Sequence, residues 1–122
     1  MSREPRVRAL EVLYAGDVLD ANEQIDALRG RSRRMADGVV RHLAELDAEL
    51  EEASDRWRLE RMPSVDRAIL RLALWELRHT DTPVAVVISE AVELAKRYST
   101  ERSGGFVNAI LGKLIGPPDE AR

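Results

Sequence analysis

Apolar residues recur along this chain at steps of three and four, and the runs they make are interrupted by glycine, proline and short polar residues. Val7, Leu10, Leu13 and Tyr14 form the first such face. Pro5 suits the first turn of that helix, where its missing N–H costs nothing, and Gly16 marks the end. Asn22 is placed to cap a short second helix carrying Ile25 and Leu28, which Gly30 stops. After Ser32 comes the longest pattern: Met35, Val39, Leu43, Leu46, Leu50 and Ala53. Their spacing predicts one long helix with a single apolar stripe. The acids Glu45, Asp47, Glu49, Glu51 and Glu52 lie off that stripe and read as its solvated side.

The stretch Asp55 to Pro63 reads as a connector with one short helical turn, and Ser64 as the N-cap of the next helix. Val65, Ala68, Ile69, Leu72, Ala73 and Leu77, broadened by Leu70, Leu74 and Trp75, make that helix apolar over much of its circumference. Such a helix belongs at the centre of the core. Arg67, Arg71 and Arg78 occupy its remaining side. Pro83 opens another helix, in which Val84, Val87, Ile88, Ala91, Leu94, Ala95 and Tyr98 keep the helical period for fifteen residues despite their β-branched start. Ser103-Gly104-Gly105 reads as a chain break whose backbone N–H groups could meet a phosphate. Phe106, Val107, Ile110, Leu111, Leu114 and Ile115 then form the last helix, ended by Gly116-Pro117-Pro118. The expectation is an all-α single domain of six helices plus a turn near Trp57.

Composition narrows the picture. At 122 residues, 44% apolar and 34% charged, the chain has room for one domain with a substantial core and a heavily charged surface. The absence of cysteine excludes a disulfide scaffold, a thiolate metal site and a cysteine nucleophile. The mixed-charge N-terminus has neither the apolar run of a secretory signal nor that of a membrane span, so no membrane partner and a cytoplasmic address are expected. Net charge is only −3, but its distribution is uneven. Arg3, Arg6 and Arg8 open the chain, Arg29, Arg31, Arg33 and Arg34 cluster within six residues, and the acids concentrate from Glu45 to Asp55. Clustered guanidinium groups on a small protein make a polarised surface suited to phosphate.

Catalytic chemistry finds nothing to stand on. His42 and His79 fall in no metal-ligand spacing, and there is no GxSxG, P-loop or GxGxxG. The carboxylates show no sign of the mismatched environments that acid–base catalysis uses. No catalytic residue, metal or cofactor is expected.

Three blocks, in order, carry a resemblance. They are Val65-Asp66-Arg67-Ala68-Ile69-Leu70-Arg71 with Trp75-Glu76-Leu77, then Ile88-Ser89-Glu90-Ala91-Val92-Glu93-Leu94-Ala95-Lys96, then Phe106-Val107-Asn108-Ala109-Ile110-Leu111. With the opening Pro5-Arg6-Val7-Arg8-Ala9-Leu10 and Leu13-Tyr14, the chain resembles the NusB family of bacterial antitermination factors. The resemblance is thinner between Gly16 and Ala53. It implies about seven helices in two packed subdomains, approximately residues 1–54 and 55–116 with a short tail. It further implies binding to the boxA element of ribosomal RNA transcripts together with NusE, a small-subunit ribosomal protein, within an RNA polymerase antitermination complex. A homodimer stays open.

By the same resemblance, Arg3, Arg6 and Arg8 form an RNA-facing arm, and Tyr14 lies near a surface shared by RNA and NusE. Lys96, Phe106 and Lys113 are further RNA candidates, and Asp66 falls where the family has an acid that contacts NusE. The run Arg29 to Arg34 maps to no family hallmark; it adds electrostatic attraction or decorates a loop. Two departures stand out. The chain is shortened between Gly16 and Ser32, and Arg102 replaces an acid that relatives often carry near RNA, which predicts higher nonspecific RNA affinity. The rival reading is a helical scaffold that binds NusE or itself, with RNA binding weak or lost.

Overall fold

A computed structural model describes residues 4–14, 22–54 and 59–115 of the chain. Those residues form seven α-helices, α1 Glu4–Tyr14, α2 Asn22–Asp26, α3 Gly30–Arg41, α4 Leu43–Ala53, α5 Ser64–His79, α6 Val84–Tyr98 and α7 Glu101–Ile115, with a 3₁₀ turn at Leu59–Arg61. The architecture is all-α. The most apolar helix, α5, lies at the centre and touches α1, α3, α4, α6 and α7. Its Ile69, Leu70 and Leu74 are almost wholly excluded from solvent, and buried apolar residues from all seven helices join one cluster around it. That continuous core is what fixes α1 and the α6–α7 pair against α5. Gly16 and Trp57, read as a helix end and a helical turn, lie outside the described residues.

Four local expectations are corrected by the structure. The long helix expected from Ser32 to Ala53 is two, separated at His42, whose backbone (φ −108°, ψ 17°) leaves the helical region. The hydrophobic stripe survives the bend because the hydrogen-bond ladder nearly does: His42 N–H still donates to Gly38 and Leu46 N–H to His42. What holds the bend is packing against α5. The Trp75 indole lies so close to Gly38 that a Cβ there would sit 2.2 Å from two ring atoms, and His42 stacks on His79 with centroids 4.1 Å apart. Second, Ser64 is the first residue of α5 rather than its cap; Pro63 takes the cap position, with no side-chain bond. Third, Asn22 likewise belongs to α2 itself.

Fourth, Ser103-Gly104-Gly105 does not break the chain but forms part of α7. The break falls earlier, at Ser99, and Thr100 closes the new helix start: Ser103 N–H donates to Thr100 Oγ1 at 3.1 Å. That bond removes one of the N–H groups proposed for phosphate. Gly104 serves packing instead, since a Cβ on it would meet Lys96 Cγ at 2.9 Å. The α6 lysine therefore lies directly across α7.

The charged side of α5 is consumed in holding neighbours. Arg67 donates to the Leu59 carbonyl of the 3₁₀ turn. Arg71 grips Asp47 of α4 with two bonds of 2.7 and 2.8 Å. Arg78 donates to Glu49 of α4 and to the Leu114 carbonyl of α7. Two of the α4 acids are thus clamps rather than mere solvated surface. The arginines around the start of α3 are similarly occupied: Arg29 donates to the Asp26 and Leu28 carbonyls, and Arg33 bonds Asp26. Gly30 opens that helix with φ +56°, a conformation glycine adopts without strain.

Candidate nucleic-acid interface

The opening helix separates its arginines. Arg6, Ala9, Leu10 and Leu13 share the face of α1 that is buried against α3 and α5. Arg6 is only 2% exposed, and its guanidinium makes a bidentate pair with the equally buried Glu76 of α5, Nε to Oε1 at 2.7 Å and Nη2 to Oε2 at 2.8 Å. Arg31 of α3 comes within 3.7 Å of Glu76, and Glu90 of α6 within 3.9 Å of Arg6. Two cations and two anions from four helices therefore meet in one largely dry cluster. Such a geometry is among the strongest that a guanidinium makes, because both forks donate in parallel to a charged acceptor. The expectation that Arg6 faces RNA is corrected: its charge is spent inside the protein, where a phosphate cannot reach it.

Arg8, two residues on, points outward. It is 61% exposed and pairs with Glu4 one turn earlier at 2.8 Å. An exposed pair of this kind holds its arginine weakly and releases it to a competing anion at little cost. Tyr14, at the end of α1, is half-buried and packs on the core with part of its ring outward. Arg3 lies outside the described residues.

Helix α7 presents Arg102, Phe106 and Lys113. Steps of four and seven residues set them within about 40° of one another around a helix. Arg102 and Lys113 are exposed and Phe106 is half-buried, so the stripe offers charge, ring and charge in order. Lys96 belongs to a neighbouring groove between α6 and α7 that also includes Ile88, Val92 and Gly104. Arg102 and Phe106, by contrast, meet Asp66 at a cleft of about 200 Å³ completed by Met62, Pro63 and Ser103.

Asp66 is 3% exposed. Ser103 Oγ donates to its Oδ2 at 2.9 Å, and Ser103 Oγ in turn lies 3.0 Å from both the Ser99 and Thr100 hydroxyls. A serine has one proton to give, and the carboxylate is the stronger acceptor. Asp66, taken from the resemblance as a NusE contact, thus stands in the wall of a cleft, and any occupant must enter the cleft to meet it. The structure joins Asp66, Arg102 and Phe106, leaves Lys96 in the adjoining groove, and keeps Arg8 and Tyr14 on α1. Sequence reasoning did not find Met62 or Pro63, and it read Ser103 for its backbone N–H rather than for the hydroxyl bond to Asp66; these groups meet only because the start of α5 folds against α7.

Among the described residues, seven helices with α5 at their centre and exposed cations on α1 and α7 define a small all-helical protein with cationic surface patches. The NusB family model matches residues 3–116. The transcription antitermination protein NusB of Anaeromyxobacter dehalogenans is 44% identical over 132 residues, covering 96% of this chain and 92% of that protein. That of Thermoanaerobacter sp. is 40% identical, covering 94% and 78%. Among solved structures, T. maritima NusB superposes with a TM-score of 0.80 at 34% identity, covering 98% and 94%. A NusB solved with NusE and double-stranded RNA gives 0.72 at 27%, covering 89% and 91%. The chain belongs to the NusB family. No helix among the described residues is long and apolar enough to cross a membrane.

Proposed function

We propose that the chain is an RNA-binding transcription antitermination factor that engages the unpaired boxA element of ribosomal RNA transcripts together with NusE. The observation that carries this reading is the α7 stripe of Arg102, Phe106 and Lys113. Unpaired RNA is recognised by planes on which bases stack and by cations that meet the intervening phosphates. Arg8 on the outer face of α1 and Lys96 beside Gly104 extend the cationic surface, and Arg3 precedes Arg8 in the arm. Tyr14 offers an aromatic edge to RNA and to NusE. Relatives support the partners: a family member has been solved with NusE and RNA. The reading assigns binding, with no catalytic residue, metal or cofactor, and the antitermination complex of RNA polymerase as the place of action.

The test is competition. A labelled boxA-like single strand, bound to the chain with and without NusE, is displaced by unlabelled boxA or by a scrambled strand of equal composition. The proposal expects boxA to compete at least about tenfold better, since base contacts rather than phosphate contacts carry specificity. Equal competition, or capture of NusE with no RNA retained, would replace it with the scaffold reading.

A further inference from the structure

Arginines crowd the end of α3 where they stabilise it least. Arg29 holds the N-cap position, Arg31, Arg33 and Arg34 follow within five residues, and the first turn contains no acid. A helix N-terminus is the positive end of its dipole and favours carboxylates, and cations four residues apart, as Arg29 and Arg33 are, repel one another. Arg31 turns inward to Glu76. The other three stay outside. Arg34 is exposed and makes no hydrogen bond or ion pair among the described residues. Arg29 gives one nitrogen, Nη1, to the Asp26 and Leu28 carbonyls, which leave its charge unneutralised. Only Arg33 meets a carboxylate, Asp26 at 3.2 Å, with both side chains open to solvent. A local arrangement that weakens the fold and is compensated nowhere within it marks a functional surface.

Helical geometry gathers these cations into one surface. Arg33, Arg34, Asp37 and Arg41 fall within about 100° of one another around α3, and Arg33 and Arg41 stand about 12 Å apart along its axis. Arg41 pairs with Asp37 one turn back at 2.9 Å, again in solvent, and such pairs yield readily to a competing anion. With Arg29 at the head, four cations face two anions, Asp26 and Asp37. Past the bend at His42 the sign reverses, since Glu45, Glu51 and Glu52 are exposed on α4. The cationic surface is therefore a track the length of α3, closed at one end by acids. Chemistry then selects the occupant. A protein partner takes its binding energy from an apolar or aromatic anchor at the centre of the contact. Helix α3 exposes none: Met35, Ala36 and Val39 are buried and Val40 packs on the core. A base-reading site needs a plane for stacking, and no Phe, Trp or Tyr occurs in α2, α3 or α4. What remains is a row of guanidinium forks, each matched to a phosphate.

We infer that the outer face of α3, with Arg29, Arg33, Arg34 and Arg41, binds the sugar–phosphate backbone of RNA flanking the boxA element without reading its sequence. Helix α3 packs directly on α1, whose outward Arg8 belongs to the boxA surface, so a strand leaving that surface meets the track next. The inference rests on the RNA-binding reading and lengthens the footprint of the bound strand.

The experiment uses the full chain with NusE and two RNAs, a short boxA-like single strand and the same strand carrying an oligouridine tail at each end. Affinities are measured across a range of salt concentrations. The unaltered protein binds the tailed strand at least about tenfold more tightly at low salt, with a salt slope steeper by about 2, the share of three phosphates on a single strand. The triple variant Arg33→Gln, Arg34→Gln, Arg41→Gln binds the short strand as the unaltered protein does and loses the advantage of the tails. Its melting temperature is no lower, because relief of repulsion at the helix start offsets two exposed pairs. Asp37→Asn, which removes an acid from the track, binds the tailed strand about twofold more tightly and the short strand equally. The inference is overturned, with the RNA reading intact, if tails add nothing while boxA is still bound, or if the triple variant keeps their full advantage. A triple variant that melts well below the unaltered protein would make the arginines structural, and one that loses only NusE capture would make α3 a protein-binding face; either result overturns it. If the unaltered protein retains neither strand, the RNA reading and this inference fall together.

Discussion

Replacing Glu76 by glutamine is the sharpest structural perturbation this fold offers. Glutamine keeps the volume and one acceptor oxygen but removes the charge that faces Arg6, and it turns an N–H₂ toward a guanidinium already rich in donors. Arg6, 2% exposed, would keep its contact with the Glu90 carboxylate at 3.9 Å. Removing one member of a buried, bidentate pair costs about 3–5 kcal/mol, and Glu90 holds the loss near the lower end. Against a total stability of about 5–15 kcal/mol for a domain, that is a large share. Urea unfolding followed by far-ultraviolet circular dichroism should show it as a lowered midpoint at an unchanged slope.

The double change Arg6→Met with Glu76→Leu gives the opposite result for the same reason. Ile69, Leu72, Ala73, Val87, Ala91 and Leu94 surround the pair and supply an apolar pocket for its replacement. The double variant should lie within about 1 kcal/mol of the unaltered protein, so that the two single losses are strongly non-additive. It should also retain RNA binding, because Arg6 is not at the surface. A Glu76→Gln loss below about 1 kcal/mol, or a double variant as unstable as the sum of the singles, would refute the reasoning.

Gly38→Ala should destabilise the protein by about 1–3 kcal/mol in thermal melts, because overpacking against Trp75 outweighs the gain of about 1 kcal/mol that alanine brings to an open helix; a stabilised variant would show that the indole swings aside freely. Thr100→Ala, by removing the α7 cap, should cost about 0.5–2 kcal/mol in the same assay. Arg8→Ala should leave the melting temperature unchanged, its pair with Glu4 being exposed, yet reduce the salt dependence of RNA binding by about 0.7 in slope. Arg102→Asp should weaken RNA binding at low salt, and unchanged affinity would remove Arg102 from the interface.

The helical content and the central place of α5 were legible in the hydrophobic period alone, since few arrangements bury a helix that is apolar over most of its surface. The break at His42 was not, because the stripe from Met35 to Ala53 continues through it and the cause lies in Trp75 and His79, more than thirty residues away. Ser103-Gly104-Gly105 misled for a related reason: glycine in a sequence signals a break, whereas Gly104 is needed where Lys96 crosses the helix. The Arg6 error was avoidable. Arg6 stands three and four residues before Ala9 and Leu10, on the buried face, and Glu76 sits three residues after Ala73 on the buried face of α5. Opposite charges on two apolar faces mark an internal pair. The cleft beside Asp66 had no such signal, being assembled from the turn before α5 and the first turns of α7.

The central claim is that exposed cations on α1 and α7 hold the phosphates of an unpaired strand. Its most direct measure is the dependence of affinity for a boxA-like single strand on salt concentration in the presence of NusE. With about four phosphates neutralised, log affinity should fall against log salt with a slope of roughly −3. The slope should become shallower when Arg8 and Lys113 are changed to alanine and stay the same in the Arg6→Met, Glu76→Leu protein. A flat line for the unaltered chain, or an equal slope in all three proteins, would contradict it.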